Sequence, residues 1–299
     1  MIHADNYFRQ SASKHGPNEA TKQRILYEME KAYAPVRWRL PDDYLSREAF
    51  EDAVRRLDMT SSPGIPYLRE APTNREWLGW NGVTCDPYKL DRLWHDVQLV
   101  IDKKFETILR VFIKQEPHKN AKITEKRWRL IMAASLPVQI VWHMLFDYMN
   151  DAEISNAYFI PSQQGINLVG GGWKQYTNQW ESKGLDWGLD KSAWDWTAPF
   201  WCMELDLEFR RRMGNGRFMA EWADLARHLY SQMFEDPKLV LSDGTVWQQC
   251  VPGIMKSGCV NTISINSHCQ VFMHLLYCFE MMIDIYPLCV ACGDDTLQH

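Results

Sequence analysis

The stretch PLCVACGDDTL, residues 287–297, bears most directly on the fold of this chain. Its first six residues form an apolar run of strand length, and its last two residues resume that pattern. Between them lie Gly293, Asp294 and Asp295. Glycine adopts the backbone geometry of a tight turn at little steric cost. The sequence therefore predicts a β-hairpin that carries two aspartates at its tip.

A second strand candidate also ends in an acidic residue. A short, mostly apolar run leads directly into Asp190. We expect a helix after it, capped by Thr197, with Pro199 in its first turn and an end at Gly214. Asp195 is then predicted to lie near the start of that helix.

A further long helix is predicted from Ser257 to about residue 282, because its apolar positions recur with helical spacing. Within it, Thr262, Asn266 and Gln270 follow one another at intervals of four residues. Side chains at this spacing share one face of a helix. The pattern predicts a polar stripe on an otherwise apolar helix.

Three carboxylates at neighbouring strand ends suit one kind of chemistry. Attack of a 3′-hydroxyl on an α-phosphate is assisted by two divalent ions about 3.5–4 Å apart. Carboxylate oxygens are the ligands that Mg²⁺ and Mn²⁺ prefer, and like-charge repulsion makes such a cluster costly without a cation. Asp190, Asp294 and Asp295 are therefore candidate ligands for two Mg²⁺ or Mn²⁺ ions, although each motif alone is a weak signal.

Charge and composition narrow the class of protein. The chain has a formal charge of -5, yet residues 103–129 hold nine Lys or Arg and three acidic residues. Such a cluster predicts a local anion-binding surface on an acidic protein. The eight Cys lack paired secretory spacing, which favours a reducing, intracellular setting. No apolar run is long enough to predict a transmembrane segment.

In this order the motifs resemble those of viral RNA-dependent RNA polymerases, most closely the sobemovirus and polerovirus group, over about residues 60 to 299. The matching segments are TSSPGIPY (60–67, similar to motif G), FIKQEPHK with KITEKRWRLI (112–131, motif F), LDKSAWDWTAPFW (189–201, motif A), SGCVNTISINS (257–267, motif B) and CGDD (292–295, motif C).

The resemblance implies catalytic, metal-binding roles for Asp190 and Asp294, with Asp295 assisting. It implies that Asp195 and Asn266 recognise the ribose 2′-hydroxyl of the incoming nucleotide, because a carboxylate acceptor and an amide donor left unpaired would reject a deoxyribose. The further implied contacts are Lys114, Lys122, Arg127 and Arg129 for the triphosphate, Ser257 and Thr262 in support of the ribose contact, Ser61, Ser62 and Gly64 for the template RNA, and Gly258 as a flexible point of the RNA-facing motif B loop.

Four other residues of motifs F and A are interpreted differently. Glu116 is expected to orient a basic side chain beside it. His118 stands where some related polymerases carry arginine, which puts its own triphosphate contact in doubt. Trp194 and Trp196 are expected to pack beneath the palm, the domain that carries the catalytic aspartates, rather than to stack on bases.

The implied architecture is an α+β right-hand polymerase. Residues 1–184 form the fingers region with motifs G and F, and residues 185–299 form a palm whose short antiparallel sheet is backed by two helices. Residues from about 214 to 252 are expected to return to the fingers. Motif D, motif E and a helical thumb do not follow within the four residues after Asp295. We therefore expect the thumb to be absent and the chain as printed to elongate RNA poorly.

Two alternatives remain open at this level. A reverse transcriptase also uses a two-aspartate turn, although Gly293 and the Asp195 and Asn266 pair favour ribonucleotides. A non-catalytic RNA-binding scaffold would also use the basic stretch. The expected partners are template and product RNA, ribonucleoside triphosphates and other viral replication proteins, in the host cytoplasm and at membrane-associated replication complexes.

Overall fold

A computed structural model describes residues 16–117 and 119–299, so His118 and residues 1–15 lie outside the described part. Short helical turns cover residues 34–36, 67–69 and 231–235. The longer helices are α1 (Glu19–Ala32), α2 (Arg47–Arg56), α3 (Asn74–Leu78), α4 (Pro87–Ile101), α5 (Asn120–Thr124), α6 (Leu136–Ser155), α7 (Gly172–Ser182), α8 (Trp194–Thr197), α9 (Phe200–Met213), α10 (Met219–Tyr230) and α11 (Thr262–Met281).

The strands assemble into three sheets. A parallel pair joins β1 to β5, a four-stranded sheet has the order β3-β2-β6-β7, and a three-stranded antiparallel sheet has the order β4-β9-β8. The strands are β1 (Trp38–Arg39), β2 (Ile108–Ile113), β3 (Leu130–Ala133), β4 (Trp187–Leu189), β5 (Gly214–Asn215), β6 (Lys238–Val240), β7 (Val246–Gln248), β8 (Val290–Cys292) and β9 (Asp295–Gln298).

The three-stranded sheet is the predicted hairpin with one strand added. Helix α11 packs against β8, and α9 packs against α11. Gly293 has φ of 68°, a value that glycine adopts without the strain that a Cβ atom would cause. The aspartate turn at the end of the β8–β9 hairpin is thus formed by local sequence.

The basic stretch, residues 103–129, contributes β2 and the loop after it to the four-stranded sheet, which is called the basic sheet below. Strands β2 and β3 pair antiparallel, and the basic loop between them contains the short helix α5. Strand β6 pairs parallel with β2, so residues 238–248 of the later chain complete the same sheet. The sheet therefore joins segments that are more than a hundred residues apart in the sequence.

One hydrophobic core runs through the molecule. It contains buried side chains from Ile25 on α1 to Cys289 just before β8, and α6 contributes many of them. A small second cluster of Val111, Met132 and Ile254 packs beneath the basic sheet. No helix among the described residues is both long enough and apolar enough to cross a membrane.

Two helix starts differ from the sequence prediction. Pro199, not Thr197, precedes the first residue of α9, and the Thr197 hydroxyl donates to the carbonyl of Ala193 inside α8. Helix α11 begins at Thr262 rather than at Ser257. The reason is tertiary, because the intervening residues form a loop that bonds to β3.

Candidate active site

Asp190 directly follows the last residue of β4, and Asp295 is the first residue of the neighbouring strand β9. Leu189 pairs with Thr296 across the β4–β9 ladder, and the Thr296 hydroxyl donates to the Leu189 carbonyl over 3.3 Å. Since Asp190 follows Leu189 and Asp295 precedes Thr296, the antiparallel register directs both aspartates to the same end of this strand pair. Asp190 and Asp295 are exposed, and Asp294 at the turn is half-buried. The three predicted aspartates therefore share one edge of the sheet.

The turn that carries Asp294 is tethered to the helix behind it. The Gly293 amide donates to the Ser267 hydroxyl of α11 over 3.0 Å. Gly293 itself is buried while both neighbouring aspartates reach solvent. This hydrogen bond fixes the position of the aspartate turn relative to α11, the helix that also carries Asn266.

Lys191 is a member of this site that sequence reasoning missed. Burial lowers the pKa of its ammonium, and the negative forms of Cys289, Asp294 and Asp190 oppose that shift. The same ammonium thus lies within electrostatic reach of two of the candidate metal-binding carboxylates. In the sequence, only its position directly after Asp190 indicated that Lys191 could belong to this site.

The donor set suits a hard divalent cation. All three candidate ligands are carboxylates on strand ends or a turn and are open to solvent, which leaves coordination positions for substrate oxygens. Within residues 16–117 and 119–299, no three His, Cys, Asp or Glu side chains converge on one point as a ready-made ligand cage. Mutual repulsion of like charges favours such a spread arrangement.

Asp195 links the carboxylates to the basic loop. Burial and the nearby Asp294 carboxylate raise the pKa of Asp195 to about 6, while Arg129 and Lys114 act in the opposite direction. Asp195 therefore lies within electrostatic reach of Asp294, Arg129 and Lys114. The structure therefore brings motif A, motif C and two of the motif F cations into one electrostatic site.

Asn266 faces the same region from α11. It is 5% exposed, and its side-chain oxygen accepts a hydrogen bond from the Trp194 indole N–H over 2.8 Å. Trp194 is buried in the main hydrophobic core, as the packing interpretation expects, and Trp196 packs against the small cluster of Val111, Met132 and Ile254. Trp194 thus has a polar contact that the packing interpretation did not anticipate.

Glu116 bridges the two basic residues that act on Asp195. Its carboxylate lies 2.9 Å from Lys114 Nζ and 3.0 Å from an Arg129 guanidinium nitrogen. The contact to Lys114, together with Arg129, lowers the pKa of Glu116. Of the other predicted cations, Lys122 lies on α5, and Arg127 is ion-paired with Glu125.

The motif B loop is joined to β3. The Ser257 hydroxyl donates to the Leu130 carbonyl over 3.1 Å, and the Gly258 amide donates to the Met132 carbonyl over 3.2 Å. A Cβ atom at position 258 would lie only 2.5 Å from that Met132 oxygen. Close approach to β3 therefore explains the glycine here, a reason different from the loop flexibility inferred from the resemblance.

The side chains of Thr262 and Lys256 stabilise the motif B loop and the segment before it. The Thr262 hydroxyl lies within hydrogen-bond distance of the Lys256 and Cys259 carbonyls, so it closes the loop onto the start of α11. Lys256 is fully buried, and its Nζ donates to Gln249 Oε1, the Gly253 carbonyl and the Ile254 carbonyl at 2.7–2.9 Å. Sequence reasoning missed Lys256, since a lysine beside a loop is more often exposed.

The motif G loop meets the end of β3. Gly64 has φ of 69°, is buried, and would place a Cβ atom 2.7 Å from the Ala134 carbonyl. Its amide donates to Ser62 Oγ over 3.3 Å, and the Ser61 hydroxyl donates to Asp58. The structure thus gives Gly64 a packing role, whereas the resemblance implied a contact with template RNA, and Ser61 is the exposed residue of the three.

A buried charged cluster behind the site was not foreseen. Asp206 and Arg210 of α9, His268 of α11 and Glu153 of α6 are all fully buried. His268 Nε2 lies 2.9 Å from a Glu153 oxygen, and Arg210 Nε donates to Asp206 over 2.9 Å. These side chains join three helices. Asp206 and Arg210 have the four-residue spacing of a helical ion pair, but no local pattern predicts that Glu153 and His268 meet them.

Comparison with solved structures defines the class of fold. A Sicinivirus 3Dpol RNA-dependent RNA polymerase superposes with a TM-score of 0.71 over 95% of this chain and 58% of its own chain, at 18% sequence identity. The expected α+β right-hand polymerase fold is therefore confirmed.

Sequence comparison defines the family. The family model described as viral RNA-dependent RNA polymerase matches residues 28–298, and this chain belongs to that family. The P2AB replicase polyprotein of southern bean mosaic virus is 32% identical over 264 residues, which are 81% of this chain and 26% of that protein. Protein P1-P2 of potato leafroll virus is 27% identical over 99% of this chain and 30% of its own length. The chain thus spans less than a third of these relatives, and the sobemovirus and polerovirus resemblance is confirmed.

Proposed function

We propose that this chain forms the nucleotidyl-transfer centre of a viral RNA-dependent RNA polymerase, which copies an RNA template from ribonucleoside triphosphates. The observation that supports the proposal is the β4–β9 register, because it directs Asp190, just after β4, and Asp295, at the start of β9, to the end of the sheet that carries the Asp294 turn. Membership of the polymerase family supports it.

The carboxylates would hold two divalent ions. Asp190 and Asp294 are the proposed ligands of both, and Asp295 assists one of them. When bound, Mg²⁺ or Mn²⁺ ions stabilise the attacking 3′-hydroxyl oxygen and the leaving pyrophosphate oxygen. Asp294 directly follows Gly293, whose amide is bonded to Ser267, so the backbone at the start of the aspartate pair is anchored to α11.

The basic loop would bind the triphosphate. Lys114 and Arg129 are held in place by Glu116, and they act electrostatically on Asp195 beside the catalytic edge. Guanidinium groups suit bidentate phosphate contacts, and lysine acts as a point charge. Lys122 and Arg127 lie further along the same loop and would meet the phosphates from α5.

Asp195 and Asn266 would recognise the ribose 2′-hydroxyl. Ser257 and Thr262 would support that contact by fixing the motif B loop to β3 and to the start of α11. Ser61, Ser62, Gly64 and Gly258 lie on loops that meet at β3, which is consistent with a template path there. Other viral replication proteins as partners, and the host cytoplasm as location, stay predictions.

The decisive experiment changes one carboxylate in the active replicase that contains this chain. Asp294→Ala should abolish RNA synthesis and leave RNA binding nearly intact, because the basic loop and the template loops are unchanged. Asp42→Ala, which removes an exposed aspartate outside the five motifs, is the matched control and should leave both activities unchanged. Equal loss of synthesis and of RNA binding in Asp294→Ala would instead favour the scaffold.

Nucleotide choice tests the other alternative. The intact enzyme should incorporate ribonucleotides in preference to deoxyribonucleotides on an RNA template. A preference for deoxyribonucleotides would identify a reverse transcriptase and end the assignment.

A further inference from the structure

The contact between Trp194 and Asn266 bears on how the proposed site recognises the ribose. We propose that Trp194 is the positioning residue that determines which end of the Asn266 amide faces the ribose 2′-hydroxyl. The inference deepens the proposed function and rests on it, since it presupposes that Asn266 meets the ribose. Trp194 itself would not touch the nucleotide.

The chemistry of the indole fixes the polarity of the contact. An indole N–H is a donor and has no acceptor, so it can pair only with the oxygen of a side-chain amide. The distance from Trp194 Nε1 to Asn266 Oδ1 is 2.8 Å, and the two residues are 4% and 5% exposed. With the oxygen engaged, the NH₂ group of Asn266 is the end left for another partner.

Trp194 is well placed to hold a fixed position. Ala193 has φ of 54° and turns the chain sharply into α8. On the other side, the Met255 amide donates to the Asp195 carbonyl over 2.7 Å, and the Ile254 amide donates to the Ala198 carbonyl over 3.1 Å. These backbone bonds tie α8 to the segment before motif B, so Trp194 and Asp195 are positioned together.

Only one amide orientation uses both recognition groups. A 2′-hydroxyl has one hydrogen to donate and lone pairs to accept with. It can donate to the Asp195 carboxylate while accepting from the Asn266 NH₂ group. With the amide reversed, two oxygens would compete for one hydrogen, and one of them would be left unpaired in a buried site.

The reversed amide would penalise the ribonucleotide selectively. A deoxyribonucleotide lacks the 2′-hydroxyl and makes neither bond, so reversal of the Asn266 amide does not lower its kcat/KM. The ratio of kcat/KM for a ribonucleotide to that for the matching deoxyribonucleotide therefore reports on the Trp194 contact. A purely structural role of Trp194 would change both substrates alike.

The experiment compares Trp194→Phe with the parent enzyme, using the active replicase that contains this chain, an RNA template, and a ribonucleotide and deoxyribonucleotide of the same base. We expect the ratio to fall about 2- to 10-fold, as for loss of one neutral hydrogen bond, mainly through the ribonucleotide KM. Trp222→Phe is the matched control. The buried indole of Trp222 donates to the Leu145 carbonyl over 2.9 Å. Loss of this hydrogen bond should lower stability without changing the ratio of kcat/KM values.

Two further variants make every outcome informative. Asn266→Ala should lower the ratio by itself, and adding Trp194→Phe to it should cause no further drop, because the contact is already gone. If Trp194→Phe does not fold, Trp194→Met replaces it, since its flexible side chain fills irregular space and also lacks a donor.

The outcomes separate the two proposals. An unchanged ratio in the folded Trp194 variant, alongside a lowered ratio in Asn266→Ala, overturns the positioning role and leaves the proposed function standing. An unchanged ratio in Asn266→Ala overturns the ribose-recognition part of the proposed function itself.

Discussion

The Nδ1 atom of His268 lies 2.6 Å from Oδ1 of Asp206, and both side chains are fully shielded from solvent. Burial alone would lower the pKa of His268, but the carboxylates of Glu153 and Asp206 outweigh it and raise that pKa. Burial would likewise raise the pKa of Asp206, yet Arg210 and His268 lower it to about 2. The buried carboxylates that join α6, α9 and α11 at this point therefore favour the protonated form of His268.

Replacing His268 is expected to destabilise the fold. His268→Gln leaves Glu153 and Asp206 with one cation between them, and breaking a buried ion pair costs about 3–5 kcal/mol. The measurement is the free energy of unfolding from denaturant titration at pH 6. His95→Gln, on the exposed side of α4, is the control and should change it by less than about 0.5 kcal/mol. An equal effect of the two variants would contradict a charged buried network.

The His268 contribution should also depend on pH. Because the folded-state pKa is raised, the contribution is complete below the unfolded pKa of about 6.5 and is lost as pH rises through the folded pKa. The difference in unfolding free energy between the parent chain and His268→Gln should therefore shrink as pH rises above about 6.5. The same denaturant titration repeated at several pH values measures it, and a difference independent of pH would show that His268 is neutral in the folded state.

Gly258→Ala should disrupt the junction between the motif B loop and β3. The added Cβ atom would lie 2.5 Å from the Met132 oxygen, so the loop or the strand must move. Overpacking of this kind costs about 1–3 kcal/mol, and we expect a matching loss of thermal stability together with reduced RNA synthesis. Gly188→Ala is a matched control, because nothing lies within 4 Å of a Cβ atom there. A Gly258→Ala protein as stable as Gly188→Ala would contradict the close approach.

Lys256→Met should loosen the segment before motif B. The substitution keeps much of the side-chain volume but removes the donor that serves Gln249, Gly253 and Ile254. Buried acceptors left unpaired cost about 1–3 kcal/mol each, so the loss of stability should exceed about 2 kcal/mol. Hydrogen exchange of residues 249–256, compared with exchange in α6, would locate the effect. Uniform protection across the two regions would show that Lys256 is dispensable.

Lys114→Ala should mainly weaken nucleotide binding. Loss of a charged phosphate contact is worth about 1.5–3 kcal/mol, which predicts a rise of the nucleotide KM of roughly 10-fold or more with a smaller change in kcat. Lys104→Ala removes the same charge from an exposed lysine paired with Asp102 and should leave KM unchanged. Steady-state kinetics with the active replicase measures both, and a lower kcat at constant KM would contradict a role in nucleotide binding.

Local chemistry explains which elements could be predicted from the sequence. The Asp294 hairpin follows from a glycine with positive φ between two apolar runs, and the strand that ends at Asp190 follows from its apolar pattern. The order of the motifs was sufficient to indicate the family. The helix starts were missed because they depend on contacts elsewhere: α11 begins only at Thr262, since Ser257 and Gly258 bond to β3.

The sequence by itself indicated the right-hand polymerase fold and a set of candidate residues for its chemistry, because motif spacing and turn-forming glycines act over short distances along the chain. Only the tertiary structure decided which partners meet: Glu116 contacts both Lys114 and Arg129, and Trp194 contacts Asn266. The reason is physical. A hydrogen bond between side chains 72 positions apart depends on the packing of α8 against α11, and no local pattern encodes the meeting of those two surfaces.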